Sequence, residues 1–335
     1  MKPVVAITIG DYNGIGPEVA LRAAALLPVR RLCTPLLVGP ADVVARVGAK
    51  LGRRIPLTHW RAGEPAPARG AALLDTTGGI PVRYAPGKLS AEAGAAAGAA
   101  IRAAVVLAMR HEAAAVVTAP VSKQALHIAG IDTPGQTELL QRLTGAPHVA
   151  MMLVAGALRV GLVTIHIPLR NVARELTGSL IVERIRVIHR ALVTDWGVAR
   201  PRIAVLGLNP HAGEGGDIGS EEQRVIIPAM DTLRKEHMAL AGPFPADAFF
   251  SRAVPEAYDA VVAMYHDQGL IPLKMAGRGL AVNVSAGLPL VRTSPDHGTA
   301  FDIARRFTAD PASMAQAIAT AVAIASRRRT QRSPR

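Results

Sequence analysis

Residues 258–274 read YDAVVAMYHDQGLIPLK, an apolar run that meets a polar cluster with no linker between them. The run 260–264 has the length and composition of a buried parallel strand, and His266, Asp267 and Gln268 follow directly. Ligands of open α/β sheets bind beyond the carboxyl ends of the strands, so a histidine in this place is a candidate for a site. Two others share the context: His166 ends VGLVTIHIPL, and His211 follows the apolar run of IAVLGLNPHAGEGG. Outward from this stretch, strands and helices alternate along the chain, which predicts an α/β architecture with largely parallel sheets.

The spacing predicts strands over 4–9, 36–38, 114–117, 158–165, 202–208 and 279–284 as well. Helices are expected over 17–27, 41–51, 91–110, 121–129, 179–195, 221–236, 299–306 and 311–326. Pro17 sits at an opening position, Ser90 can cap, and Glu92 suits a first turn. Residues 52–88 read as loops with short strands, further loops fall at 242–248 and 287–298, and no internal repeat is evident.

At 335 residues the chain exceeds the size at which one hydrophobic core stops growing, so two lobes are expected; half the residues are hydrophobic. The single cysteine, Cys33, excludes an intramolecular disulfide framework and a cysteine metal cluster, which points to a reducing cytoplasm. The opening MKPVVAITIGDYNGIGPE holds too short an apolar run for a signal peptide. The Ala-rich run 91–109 carries Glu92 and Arg102 and reads as helical rather than membrane-spanning.

The formal charge is +13, but five arginines lie in the last nine residues, a stretch expected to be disordered. Aromatics make up 3% of the chain, too few for base stacking, and no nucleic-acid-binding motif is present. A diffuse basic surface instead suits attraction of a small anionic substrate.

A lone histidine at a strand end is more often structural, but three in equivalent places, His166, His211 and His266, can present three neutral imidazoles at one sheet edge. With an open fourth position such a set makes a catalytic divalent-metal site, suited to zinc and possible for other transition metals. The remaining histidines lie mostly in helices or loops and read as structural, His297 apart. In NPHAGEGGDIG, glycines beside His211 let backbone amides approach a ligand. TAPVSK places Ser122 and Lys123 at a helix start, where they can hold a carboxylate or phosphate. Lys274, Asn283 and Arg292 are further candidates for an anionic substrate. DHGTAFDIA combines Asp296, His297, Gly298, Thr299 and Asp302 into a loop suited to a nucleotide, and the absence of GxGxxG makes any dinucleotide site non-Rossmann.

TAPVSK, GQTELL, GLNPHAGEGG, AMYHDQGLIPLK and RTSPDHGTAFDIA together resemble, in order, the motifs of the 4-hydroxythreonine-4-phosphate dehydrogenase family, over about residues 3–325. The resemblance implies a fold like the isocitrate and isopropylmalate dehydrogenases: two α/β/α lobes, an active site in the cleft between them, and a homodimer that shares its active sites. The lobes are expected at 1–135 with 285–325 and at 136–284, followed by a basic disordered tail, 326–335. DHGTAFDIA is similar to the NAD-adenosine loop of those dehydrogenases, which implies NAD or NADP as cofactor. His166, His211 and His266 are implied to bind one divalent ion per site, zinc or alternatively Mg, Co, Mn or Ni, with one ligand from the partner subunit. Gln136, Thr137, Lys274, Asn283 and Arg292 are implied to hold the substrate.

The activity so implied is metal- and NAD-dependent oxidation and decarboxylation of 4-phosphooxy-L-threonine to 3-amino-2-oxopropyl phosphate, in pyridoxal phosphate biosynthesis. Lys123, and Asp247 in GPFPADAFF, are candidates to take the alcohol proton. Gln136 departs from the family motif GHTE, and Tyr12 and Asn13 stand where Pro-Ala is common. Glutamine donates a hydrogen bond but does not become cationic. That keeps open two paralogous substrates, a cis-dihydrodiol carboxylate of the terephthalate type and a sugar acid such as threonate or erythronate 4-phosphate.

Overall fold

The computed structural model describes residues 2–52, 56–67, 70–251 and 257–332. Its strands are β1 (Val4–Thr8), β2 (Thr34–Gly39), β3 (Leu57–His59), β4 (Ala71–Asp75), β5 (Ala115–Thr118), β6 (Ala150–Ala155), β7 (Leu158–Leu162), β8 (Arg202–Leu206), β9 (Ala239–Phe244), β10 (Ala260–Ala263), β11 (Val282–Ala286) and β12 (Arg292–Pro295). The chain divides into two compact units, one of residues 1–145 with 288–326 and one of residues 146–287 with 327–335. Helix Gln136–Thr144 therefore belongs to the first unit.

In the first unit the strand order is β3-β4-β2-β1-β5-β12, and every neighbouring pair is parallel. β1, β2 and β5 are almost wholly buried, as strands of a sheet covered on both faces must be. Helix Ala91–Met109 packs on β1, β2 and β5, and its N-terminus is capped as expected, Ser90 Oγ accepting from Ala93 N at 3.1 Å. Although long and apolar enough to cross a bilayer, this helix has 56% of its apolar window buried within the protein and serves as a core helix.

The second unit, ordered β11-β6-β7-β10-β8-β9, keeps to the expectation of largely parallel pairing in most of its strands but adds an antiparallel portion. β11–β6 and β6–β7 are antiparallel, and only β7–β10, β10–β8 and β8–β9 are parallel. The cause is local: a two-residue turn at 156–157, with Gly156 at φ 58°, folds β6 and β7 into a hairpin.

Other expectations also change. The predicted loop 287–298 contains β12, and 242–248 contains the end of β9 and the start of helix Ala246–Ser251. Residues 301–306 form turns instead of the predicted helix over 299–306; Ala300, at φ 43°, breaks the right-handed path. Helix Ala312–Arg332 extends through most of the tail expected to be disordered, and residues 333–335 lie outside the described residues. Arg328 Nε and Nη2 donate to the two oxygens of buried Asp195 at 2.6 and 2.8 Å, which accounts for the order.

Candidate functional site

In the second unit, β7, β10 and β8 are parallel neighbours, so their carboxyl ends share one sheet edge. β10 does not run into a loop. Helix His266–Gly277 starts there, and Leu270 and Leu273 bury against residues of β6, β7 and β10. His266 Nδ1 lies 2.6 Å from Asp267 Oδ1. Lys274, exposed in the last turn, is about 12 Å farther along the axis at the rise of an α-helix. The rings of His166 and His266 stand 5.9 Å apart, a spacing at which two imidazoles can ligate one ion. Thr164 Oγ1 donates to Met264 O at 2.7 Å and ties the two strand ends together.

His211 takes another course. From His211 to Gly215 the φ angles are 52°, 52°, 80°, 41° and 69°, a complete left-handed turn. Non-glycine residues in that region cost roughly 1–2 kcal/mol each. His211, Ala212 and Glu214 are therefore held there by their surroundings. Among the described residues no group of three His, Cys, Asp or Glu side chains is arranged to hold a metal ion. The structure brings His166 and His266 together and leaves exposed His211 on its own turn. Asp247 is exposed on helix Ala246–Ser251, which packs beside residues 210–216. Asn283, in β11, has a buried Oδ1 with no hydrogen-bond partner.

In the first unit the loops after β1, β5 and β12 come together. Asp11 N donates to Pro120 O at 2.9 Å, and Ile15 N to Thr299 O at 2.9 Å. Arg292 opens β12 and is 2% exposed rather than on the surface. Its Nε and Nη2 donate to Thr118 Oγ1 at 3.2 and 2.6 Å, and Nη2 to Gln136 Oε1 at 3.2 Å. Burial brings the guanidinium down to about 10, opposed by the charge of Glu138. Gln136 and Thr137 open the helix Gln136–Thr144, and the buried Glu138 Oε2 has no hydrogen-bond partner. Lys123 is exposed at the start of helix Lys123–Ile128, whose cap is Ser122, accepting from Ala125 N at 3.1 Å.

Asp296, His297, Gly298, Thr299 and Asp302 lie on the loop after β12. His297 Nε2 is buried without a hydrogen-bond partner, and a Cβ added to Gly298 would meet nothing within 4 Å.

Asp11, which the sequence does not single out, is fully buried; Oδ1 accepts from Asn13 N at 3.0 Å and Oδ2 has no partner. Desolvation pushes its carboxyl up from 3.8 to about 6, against the pull of the Asn13 N–H. The folded chain then keeps a proton that the unfolded chain releases. The resulting stability is present below pH 3.8 and lost as pH rises through about 6. Relative to the native chain, Asp11→Asn is expected to gain about 2 kcal/mol between pH 4 and pH 7, most of the full shift at 1.36 kcal/mol per unit. Denaturant melts at the two pH values measure this, and parallel pH profiles would refute it. Thr118, Glu138 and Glu222 also escape the sequence reading, and Gln268 enters it only as part of a polar cluster, because only folding shows what these side chains touch.

These features define a class: an α/β protein of two units, with a buried guanidinium beside the end of β5 in the first and paired imidazoles past the ends of β7 and β10 in the second. The profile of the family described as "Pyridoxal phosphate biosynthetic protein PdxA" matches residues 31–321, and the chain belongs to this family. It is 44% identical over 324 residues to a 4-hydroxythreonine-4-phosphate dehydrogenase of Chromobacterium violaceum, covering 97% of each chain. It is 45% identical over 329 residues to a D-threonate 4-phosphate dehydrogenase of Cupriavidus necator, covering 97% of this chain and 98% of that one. Among solved structures, 4-hydroxythreonine-4-phosphate dehydrogenase of Klebsiella pneumoniae superimposes with a TM-score of 0.87 at 41% identity, over 97% of this chain and 98% of that one.

Proposed function

We propose that the chain oxidises 4-phosphooxy-L-threonine with NAD or NADP and a divalent cation, and releases carbon dioxide to give 3-amino-2-oxopropyl phosphate. The observation that carries this reading is full-length similarity to dehydrogenases of that name, joined to a buried guanidinium. When bound, the nicotinamide accepts hydride and the divalent ion polarises the substrate oxygen for oxidation and decarboxylation. Arg292, with Gln136 and Thr137 beside it, binds an anionic end of the substrate, and on the second unit Lys274 and Asn283 are further substrate-binding candidates, a cation and an amide. The alcohol proton passes to the Asp247 carboxylate, or to Lys123 in its neutral amine form. Residues 296–302 receive the nucleotide.

His166 and His266 fit two places on a divalent ion, zinc first and Mg, Co, Mn or Ni as alternatives. His211 completes the set, with one ligand drawn from a second copy of the chain. Ile271 and Met275, 59% and 75% exposed on the helix that His266 opens, support a homodimer contact there. The buried, free Cys33 suits a cytoplasmic setting.

Likeness to the Cupriavidus dehydrogenase favours D-threonate 4-phosphate as a second reading, and the uncharged Gln136 keeps the phosphate-free dihydrodiol carboxylate in view. Nicotinamide reduction by the full chain would be followed on both phosphates and on the terephthalate cis-dihydrodiol, with and without a chelator. The expected result is the highest kcat/KM on 4-phosphooxy-L-threonine and loss of turnover on chelation. Activity confined to the dihydrodiol would overturn the proposal.

A further inference from the structure

The strained turn that carries His211 is held by a side chain from elsewhere in the unit. Glu222 is 2% exposed, and its Oε1 accepts from Leu208 N at 2.7 Å and from Asn209 N at 2.8 Å. Oε2 accepts from Asn209 Nδ2 at 2.9 Å. The carboxylate fills the inside of the loop: a Cβ on Gly213 would stand 2.6 Å from Oε2, and one on Gly207 3.0 Å from Oε1. Glu222 opens a π-helical turn, Glu222–Ile226, a device that inserts one extra residue and re-aims side chains near functional sites.

The other side of the same segment is gripped from the helix that His266 opens. Gln268 Nε2 donates to Gly207 O at 2.6 Å, while its Oε1 accepts from Met264 N at 2.7 Å. Residues 207–209 thus offer N–H groups to Glu222 and a carbonyl to Gln268. We infer that Glu222 and Gln268 are positioning residues, a polar clamp that fixes the His211 turn against the start of the His266 helix and so tunes divalent-cation binding. The inference rests on the proposed ligand roles of His211 and His266. A side chain behind a ligand sets its orientation, and loss of such a partner lowers metal affinity by about 10–100-fold.

The test is titration of the chelator-treated full chain with Co2+, read by its d–d absorption, for Glu222→Gln, Gln268→Met and His211→Ala. Melting of the metal-free proteins and amide exchange at residues 208–215 run alongside. Glu222→Gln keeps the volume but replaces an acceptor with a donor; Gln268→Met, at a half-buried position, is the variant more certain to fold. Each is expected to weaken Co2+ binding by about 10–100-fold, alter the band shape and speed amide exchange in the turn. Wild-type affinity in folded Gln268→Met would overturn the clamp even if Glu222→Gln failed to fold. Wild-type affinity in His211→Ala would instead overturn the ligand reading on which the clamp rests, and loss in His211→Ala with none in the other two would overturn the clamp alone.

Discussion

Arg292→Met is expected to lower kcat/KM by about two orders of magnitude and leave the fold intact. The guanidinium is 2% exposed, donates to Thr118 Oγ1 and Gln136 Oε1 and feels the charge of Glu138. Replacing a buried charge by an apolar side chain of similar volume is often neutral or stabilising. With burial drawing it only to about 10, the group remains cationic at pH 7. A charged hydrogen bond to a substrate anion is worth roughly 1.5–3 kcal/mol. The upper part of that range is about 100-fold at 1.36 kcal/mol per tenfold step. Steady-state kinetics and a thermal melt on the same preparation test the claim. A variant with unchanged kcat/KM would remove Arg292 from the substrate site, and one that unfolded would make it structural.

Gly94→Ala is expected to destabilise the first unit by about 3 kcal/mol, because the fold leaves no room for one methyl group. A Cβ there would sit 2.1 Å from Ala125 O and 2.3 Å from Ala125 C, backbone atoms that no rotamer change can move. Helix Ala91–Met109 and helix Lys123–Ile128 would have to separate, displacing Lys123 as well. The melting midpoint should fall by about 6–12 °C for a unit of this size. Gly48→Ala is the control: it lies within helix Ala41–Lys50 and its Cβ would meet nothing within 4 Å. Gain of helix propensity should stabilise that variant by about 0.5–1 kcal/mol. Equal effects of opposite-signed expectation, with Gly94→Ala melting like the native chain, would contradict the close helix contact.

Features written in short windows were legible before folding. Apolar runs of four to six residues bounded by turn signals located β1, β5, β8 and β10, and the Ser90 cap was found where the sequence put it. The family is equally legible, because its motifs keep their order along the chain. The helix at 266 was missed: its four leading residues are polar or Gly, and Pro272 lies inside it. Burial of Leu270 and Leu273 outweighs those poor local preferences.

By itself, the sequence determined the α/β alternation, the three histidines just past strand ends, and membership of the family. Only the tertiary structure decided that the second sheet is mixed, that Arg292 is buried, and that His166 meets His266 while His211 rides a left-handed turn. The physical reason is range. Propensity, capping and hydrophobic period act within one or two turns of chain, whereas Arg292 finds Thr118 across 174 residues and Gln268 finds Gly207 across 61. Such partners are set by strand order and close packing, which a local reading of side chains does not contain.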